Sequence, residues 1–364
     1  MRFPEFSGEW DSERLENLTV SIGDGLHSTP VYCEQGDYCF INGNNIIDGK
    51  VSINEKTLRV TKEEAYKYNA ALLKVDTILM SINGTIGNVA LYNGENIMLG
   101  KSACYINPSS RIVREYLFHI LSSPRIQAYF QGEVTGTTIK NLSLRTIRGS
   151  KILLPSNEEQ KKIARLFSLV DERIATQNKI IEKLESLIKG IAQNVARNNK
   201  PNIRLSECLE YSSSTLQESD VCENGTYPVY GANGIVGYID NYNTEKEAVY
   251  IIKDGSGVGT VSYVTGKCSA TGTLNTLQAK EGYSLQYLYY MLKVFNFEPY
   301  KTGMAIPHIY FKDYGKAKIF CPSYTEQLKY VELLSAIDNK LSAEQSILTD
   351  LSLQKQYLLS QMFI

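Results

Sequence analysis

One short stretch occurs twice in the chain and decides its organisation: Leu154-Pro155-Ser156-Asn157-Glu158-Glu159-Gln160 and Cys321-Pro322-Ser323-Tyr324-Thr325-Glu326-Gln327. The two copies stand 167 residues apart, and the same offset continues without a gap toward the end of the chain. A fixed internal period is typical of a chain built from repeated structural units. The sequence therefore predicts two unequal copies of one unit, each ending in the same kind of segment.

Each copy of the motif opens a segment with helical periodicity. In the first copy, apolar residues recur every three or four positions around a polar step at Gln177, at Ile163, Leu166, Val170, Ile174, Ile181, Leu184, Ile188, Ile191 and Val195. The second copy has Lys355 where the first has Ile188, and its apolar positions are Leu333, Ile337, Leu341, Leu348, Leu351, Leu358 and Met362. Ser156 with Glu159 has the form of a capping box that begins a helix.

Two helices of this length need partners for their apolar seams. Forty helical residues span about 60 Å, far more than an ordinary globular helix. A narrow seam of this length favours pairing of the two helices. The alternative is that each helix packs only on its own globular body.

The segments that precede the helices are rich in β-branched residues and in Asn-Gly or Asp-Gly turns, which predicts strands and hairpins. Each also holds one amphipathic helix, at 114–121 and at 285–292. The predicted fold class is mixed α/β, with two bodies of similar fold separated by two long helices. The predicted boundaries are 1–155 for the first body, 156–198 for the first helix, 199–322 for the second body and 323–364 for the second helix.

Composition is that of an ordinary globular protein. There are 38 Lys+Arg against 39 Asp+Glu, and 43% of residues are hydrophobic. No apolar window of about 20 residues and no apolar export segment occurs, so we expect a cytoplasmic protein. Seven cysteines without a CxxC pair and three scattered histidines argue against a disulfide framework or a metal site. We therefore expect neither a metal nor a cofactor.

Two loops look like nucleotide-binding motifs but lack their context. The glycine-rich stretch 254–259 is followed by a run with strand character, whereas a phosphate-binding loop leads into a helix amino terminus. Gly100-Lys101-Ser102 ends like a phosphate loop, but Glu95 occupies the position of the earlier glycine. No Pro-Pro dipeptide occurs, so the motif of an amino-methyltransferase is absent. We assign no catalytic residue.

Four features occur in a distinctive order: Phe3 to Trp10, Asp24 to Pro30, Tyr227 to Gly234 and the duplicated helix starts. Together they resemble the specificity subunit of type I restriction-modification systems over essentially the whole chain. The resemblance implies two target-recognition domains, each reading one half of a bipartite DNA site. It also implies that the two helices pair as an antiparallel coiled coil, set the spacing between the half-sites and dock methyltransferase subunits.

The same resemblance implies a set of partners. These are double-stranded DNA, two methyltransferase (modification) subunits and, through the complex, an ATP-dependent restriction subunit, with no membrane involved. The partner subunits would carry out methylation and cleavage, so the specificity subunit itself would be no enzyme.

The candidate DNA contacts of the first body lie in a basic, acid-free stretch before the first helix. Phosphates are bound by Lys, Arg and hydroxyl groups, whereas base edges are read by Arg, Asn and Gln. The candidates there are Thr137, Thr138, Lys140, Asn141, Arg145, Arg148 and Lys151. Secondary candidates in other loops are His27, Ser28, Asn83 and Thr85. The alternative is that these cations only form a solvated surface.

The aligned stretch of the second body has a different chemistry. Its candidates are Lys301, His308, Tyr310 and Lys312, together with Asn233, Lys253 and Ser256 in other loops. Apolar residues between them suit contact with a thymine methyl group. We therefore expect the two bodies to read different bases.

Two alternative functions share the duplicated pattern. One is a coiled-coil scaffold without sequence-specific DNA binding. The other is a specificity chain from a related, rearranged restriction system. A net charge of -1 provides no long-range attraction to phosphate, so the charge alone does not decide between them.

Overall fold

The computed structural model describes residues 2–136 and 140–363. The chain divides into two compact units, which we call unit 1 (Met1–Gln177 with Ile347–Ile364) and unit 2 (Asn178–Ser346). Each long helix contributes one part to each unit. Among the described residues, no helix combines the length and the apolar character needed to cross a bilayer.

Unit 1 contains a four-stranded sheet covered by helices. Its strands are β1 Asp11–Arg14, β2 Thr19–Asp24, β3 Tyr38–Ile41, β4 Ile46–Ile47, β5 Lys50–Val51, β6 Arg59–Val60, β7 Ile78–Ser81, β8 Val89–Leu91, β9 Ile97–Leu99, β10 Ala103–Pro108 and β11 Lys151–Leu154. Its helices are α1 Lys62–Tyr68, α2 Arg114–Leu121, α3 Pro124–Gly132, α4 Leu144–Gly149 and the first part of α5 Asn157–Asn198. The main sheet has the antiparallel order β2-β10-β7-β8.

Unit 2 repeats this plan. Its strands are β12 Ile203–Arg204, β13 Leu209–Ser213, β14 Tyr227–Gly231, β15 Gly234–Ile239, β16 Glu247–Ile252, β17 Val261–Thr265, β18 Ser269–Ala270, β19 Leu274–Ala279 and β20 Lys318–Ile319. Its helices are α6 Leu205–Cys208, α7 Leu285–Lys293, α8 Phe311–Tyr314 and part of α9 Tyr324–Met362. The main sheet has the order β13-β19-β16-β17, antiparallel throughout.

The duplication extends to the smaller elements. Each unit has a three-stranded sheet with one parallel pair, β3 with β9 and β14 with β18. Each unit also has an antiparallel pair next to the long helix, β1 with β11 and β12 with β20. The predicted mixed α/β class and the two similar bodies are confirmed. The amphipathic helices predicted at 114–121 and 285–292 are observed as α2 and α7.

Turn chemistry agrees with the sequence at most positions. Asp48 and Gly49 join β4 to β5 with positive φ angles of 50° and 78°, as a two-residue hairpin turn requires. The stretch 254–259 connects two neighbouring strands, β16 and β17, which confirms the predicted turn followed by a strand. Asn42, in contrast, precedes a 3-10 helix at Gly43–Asn45 and not a hairpin.

The glutamine of the duplicated motif joins the amphipathic helix of each unit, α2 or α7, to the start of the long helix. Gln160 Oε1 accepts a hydrogen bond from the Val113 N–H at 2.8 Å, and Gln327 Oε1 accepts one from the Ser284 N–H at 2.8 Å. Each Nε2 donates to the carbonyl of the motif's proline, at 3.0 and 2.9 Å. Both glutamines are buried. The motif therefore fixes α2 on α5 and α7 on α9.

Removing one of these amides is expected to destabilise its unit. In Gln327→Ala, the Ser284 N–H and the Pro322 carbonyl lose their partner. Both residues are half-buried, so the two losses together should cost about 1–3 kcal/mol. We expect urea unfolding to show a loss in that range. Gln354→Ala, an exposed position on the same helix, is the control and should change the stability by less than about 0.5 kcal/mol. Equal effects of the two variants would contradict the anchoring role.

The glutamate of the motif differs between the copies. Glu326 accepts from the Ser323 N–H at 3.3 Å and from its hydroxyl at 2.8 Å, as a capping box does. Glu159 is buried and instead pairs with Arg2 at 2.7 Å and accepts from Trp10 Nε1 at 3.2 Å. The first copy's serine hydroxyl still accepts from the Glu159 N–H at 3.3 Å. The predicted reach of Glu159 back to its cap is therefore wrong, because the amino-terminal segment binds that carboxylate.

The long helices pair antiparallel within unit 1. Asp171 of α5 forms an ion pair with Lys355 of α9 at 2.6 Å. Phe167, one turn earlier on α5, stacks on Phe363, which follows α9, with ring centroids 5.9 Å apart. The earlier residue of α5 therefore contacts the later residue at the end of the chain, as the predicted antiparallel arrangement requires. The ion pair with Asp171 explains why a lysine, Lys355, interrupts the apolar seam of α9.

The buried side of each helix is wider than the predicted seam. Leu333 is 50% exposed, whereas its neighbour Leu334 is fully buried, so the seam prediction is wrong at that position. In the first copy, Ala164 and Phe167 are buried and Leu166 is only partly buried. Phe167 belongs to the core of unit 1. The first helix therefore packs on its partner and on its own body as well, so the two packing alternatives coexist.

A buried histidine lies at this junction. His119 of α2 is 2% exposed, and the centroid of its ring lies 5.0 Å from that of Phe167. Its Nδ1 has no hydrogen-bond partner in the described part of the chain. Burial, and secondarily the charge of Lys355, lowers the pKa of His119 to about 3. In unit 2 the corresponding residue is Tyr290, whose hydroxyl bonds Asp338 at 3.3 Å.

This histidine is expected to make stability depend on pH. Its pKa is about 3 in the folded state and near 6.5 in an unfolded chain. The unfolded state therefore binds the extra proton, and stability falls as pH drops from about 6.5 toward 3, by up to about 1.4 kcal/mol per pH unit. We expect urea unfolding of His119→Phe to lack most of this slope between pH 7 and 5. Parallel pH profiles for wild type and variant would contradict the assignment.

Candidate nucleic-acid interface

A short loop in unit 1 is closed by a pair of backbone hydrogen bonds. The Thr135 N–H donates to the Asn141 carbonyl at 2.9 Å, and the Asn141 N–H donates back at 2.8 Å. The loop rests on the Asn83-Gly84 turn, because the Gly84 N–H donates to the Lys140 carbonyl at 2.9 Å. The candidates Thr137 and Thr138 lie outside the described residues.

Unit 2 builds the same loop 167 residues later. The Thr302 N–H donates to the His308 carbonyl at 2.9 Å, and the return bond is 2.7 Å. The loop rests on the Asp254-Gly255 turn, where the Gly255 N–H donates to the Pro307 carbonyl at 3.0 Å. The two loops are thus closed and supported by equivalent backbone hydrogen bonds, whereas their described side chains differ.

A short helix follows each loop and presents a cation at the same place. Arg145 lies in the first turn of α4 and Lys312 in the first turn of α8, and both are exposed. Ser143 caps α4 by accepting from the Thr146 N–H at 3.0 Å. Tyr314 fastens α8 to β19, since its hydroxyl accepts from Asn275 Nδ2 at 3.1 Å, and burial raises the pKa of Tyr314.

The other candidates of unit 1 are distributed unevenly. Asn83 and Thr85 belong to the turn under the loop, and Asn83 Nδ2 donates to the Lys101 carbonyl at 2.9 Å. Arg148 remains exposed but donates to the Ile22 carbonyl at 2.6 Å. Part of its hydrogen-bonding capacity is therefore used within the protein.

Three candidates of unit 1 are not brought to the loop. Lys151 lies on β11, directly opposite Arg14 of β1. His27 pairs with Asp24 at 2.6 Å beyond the end of β2, and Ser28 follows it. No hydrogen bond or ion pair joins these three side chains to the described loop residues.

In unit 2 the structure gathers most of the candidates. Lys253 and Ser256 lie in or beside the turn under the loop, and Lys253 Nζ donates to Ser213 Oγ at 3.2 Å. The rings of Tyr310 and His308 stack with their centroids 6.5 Å apart, and Lys312 Nζ lies 5.2 Å from the centroid of the Tyr310 ring.

Two candidates of unit 2 are placed differently. Lys301 pairs with Glu298 at 2.5 Å, which reduces its charge toward a ligand. Asn233 is in the β14–β15 hairpin turn, and no hydrogen bond joins it to the described loop residues.

Sequence reasoning missed several residues of this surface. Asp254 binds the imidazole of His308, with Oδ1 2.6 Å from Nδ1. Tyr211 of β13 is 46% exposed and stacks on Phe311, with centroids 5.2 Å apart. The Asp-Gly turn was a visible signal for Asp254. Tyr211 gave no signal, because sheet pairing brings β13 to this place from far away in sequence.

The tip of the second loop is apolar and open. Met304 is fully exposed and Ile306 is 57% exposed. Large apolar side chains held out in water mark binding surfaces when charged residues are near them, and the exposed Lys312 follows this tip in α8. No cluster of three or more potential metal ligands occurs in 2–136 and 140–363.

Comparison with known proteins connects this arrangement to one family. The sequence profile of the type I restriction modification DNA specificity domain matches residues 8–186 and 199–352. A Mycoplasma genitalium protein named as a type I specificity subunit is 26% identical over 316 residues, or 79% of this chain and 81% of that protein. The specificity subunit of the Escherichia coli type I restriction enzyme EcoBI is 27% identical over 159 residues, or 42% of this chain and 33% of that protein.

The fold has a solved counterpart. The crystal structure of a type I restriction-modification S subunit from M. genitalium matches with a TM-score of 0.65 and 20% identity, and the match covers 100% of this chain and 99% of that chain. Each profile match contains one copy of the loop described above. The resemblance that the sequence predicted is confirmed, and the scaffold and rearranged-system alternatives are not favoured. The chain belongs to the type I restriction-modification DNA specificity family, and its function is DNA recognition.

Proposed function

We propose that this chain is the non-catalytic DNA-recognition subunit of a type I restriction-modification complex. Each body, 1–155 and 199–322, reads one half of a bipartite site. The helices, 156–198 and 323–364, set the number of base pairs between the halves and dock two methyltransferase subunits. An ATP-dependent restriction subunit joins through the complex.

The duplicated loop carries this proposal. Two loops with the same backbone hydrogen bonds, on equivalent turns, present different side chains to solvent. Asn141 offers an amide that can bond adenine in two places, whereas His308 offers an imidazole. Shared geometry with different chemistry is what two readers of unlike half-sites need. The shared cation, Arg145 or Lys312, suits the phosphate backbone, which is the same at every site.

The two cations provide the test. We expect Arg145→Ala and Lys312→Ala, each in the assembled complex, to weaken DNA binding about 3- to 30-fold near 0.1 M salt. Each lost phosphate contact should also reduce the slope of log K against log salt by about 1. Binding to matched and mismatched sites should weaken to the same extent, because phosphate contacts carry no sequence information.

Lys56→Ala, an exposed cation in another loop of unit 1, is the control and should bind like wild type. Unchanged affinity and salt dependence in both loop variants would remove the contact assignment. A complex that shows no sequence preference at all would contradict the proposed function.

A further inference from the structure

An aspartate and a histidine form a pair at the centre of the second loop. Asp254 Oδ1 lies 2.6 Å from His308 Nδ1, and the two side chains are 36% and 35% exposed. The backbone of His308 is held on both sides, by its two hydrogen bonds to Thr302 and by the bond from the Ile309 N–H to the Lys253 carbonyl at 2.9 Å. The ring is therefore held in position, and about a third of the side chain stays exposed to solvent.

The pair determines which ring nitrogen carries the proton. An ionised carboxylate only accepts hydrogen bonds, so Nδ1 must be the donor. In the neutral ring, Nε2 then holds a lone pair and acts as an acceptor. Among the described residues, the hydrogen bond of the ring is the one between Nδ1 and Asp254. The second loop thus presents one acceptor with a fixed direction.

The turn does not need this carboxylate. In unit 1 the equivalent position holds Asn83, and the same backbone bonds form between turn and loop. A carboxylate on a surface that meets DNA repels phosphate and reduces affinity. An asparagine at 254 would avoid this repulsion. The hydrogen bond that fixes the tautomer of His308 is the interaction that favours an aspartate here.

We propose that Asp254 is a positioning residue that fixes His308 Nε2 as a hydrogen-bond acceptor, and that this nitrogen reads an exocyclic amino group in the major groove. The amino groups there belong to adenine N6 and cytosine N4, whereas guanine and thymine present acceptors. His308 therefore reads the amino-bearing base, adenine or cytosine, of one base pair in the second half-site. This inference rests on the proposed function.

The test compares the DNA that the assembled complex selects from a random library at pH 8. Wild type should show at least one position in the second half-site where one base pair is preferred and the preference depends on His308. His308→Ala should lose that preference. Asp254→Asn should reduce it at least about fivefold, the size of one hydrogen bond in discrimination, because an amide no longer imposes one tautomer. The other positions should stay unchanged.

Two further variants keep the result interpretable. Asp313→Asn in α8 removes the same charge without touching His308 and should select DNA like wild type. His308→Asn introduces the residue that unit 1 has at 141 and should favour adenine over cytosine at that position, because an amide bonds both N6 and N7.

Each outcome has one meaning. An Asp254→Asn complex that selects the same bases as wild type overturns the inference, and so does a uniform loss of affinity in His308→Ala, which indicates a phosphate contact. Wild-type affinity that stays unchanged when the amino group at that base pair is removed, with purine in place of adenine or pyrimidin-2-one in place of cytosine, also overturns it, because Nε2 then accepts no bond from that group. If wild type selects no sequence, the proposed function itself is wrong.

Discussion

Phe363→Ala is expected to lower the free energy of unfolding of unit 1 by about 3–5 kcal/mol, the usual cost of truncating a buried phenylalanine. Phe363 is 1% exposed. Its ring contacts those of Trp10, Tyr116 and Phe167, at centroid distances of 6.5, 5.6 and 5.9 Å. One side chain thus joins the amino-terminal segment, α2, α5 and the carboxyl-terminal end, and its loss leaves a cavity between all four.

The measurement is urea unfolding, with Tyr357→Ala as the control. Tyr357 is an aromatic residue on the same helix and is 57% exposed, so its truncation should cost less than about 0.5 kcal/mol. If Phe363→Ala is no less stable than Tyr357→Ala, the described packing of the carboxyl-terminal end on unit 1 is wrong.

Shortening both long helices by seven residues is expected to change which DNA the complex binds. The deletions are 178–184 in α5 and 342–348 in α9, chosen by continuing the register of Asp171 with Lys355. Seven residues keep the heptad phase and remove about 10 Å of helix. At 3.4 Å per base pair, the preferred gap between half-sites should shorten by up to about three base pairs. Affinity for the original spacing should fall more than about a hundredfold, toward non-specific binding.

The control deletes the seven residues from α9 alone, which breaks the pairing of the seams and should prevent assembly. Selection from libraries with every gap length gives the result directly. A doubly shortened variant that assembles and still prefers the original gap would refute the proposal that the helices set the spacing.

Periodicity predicted the long helices because a 3.6-residue pattern needs no tertiary information. It could not tell Leu333 from Leu334 or Leu166 from Phe167, since adjacent positions differ by only 100° around the helix and the side that packs depends on the body. The partner of Glu159 was equally hidden, because Arg2 lies 157 residues away. A local capping motif and a distant arginine compete for the same carboxylate, and only the folded chain decides.

In the candidate site, too, some residues could be predicted from local sequence and others could not. The loops around Asn141 and His308 could be located from sequence because the repeat, the glycines and the cations are local signals. Tyr211 and Ser213 could not, because β13 reaches the loop through strand pairing. Lys151 has the right charge but lies in the β1–β11 ladder, and a charge pattern contains no information about that ladder.

Selection of DNA by the assembled wild-type complex tests the account most directly. The complex is presented with random duplexes and the bound fraction is sequenced. Two unlike blocks of fixed bases, separated by a gap of constant length and variable composition, are the predicted result. A single continuous block, two blocks at varying distances or no enriched sequence would contradict the idea of two duplicated readers held at a set separation.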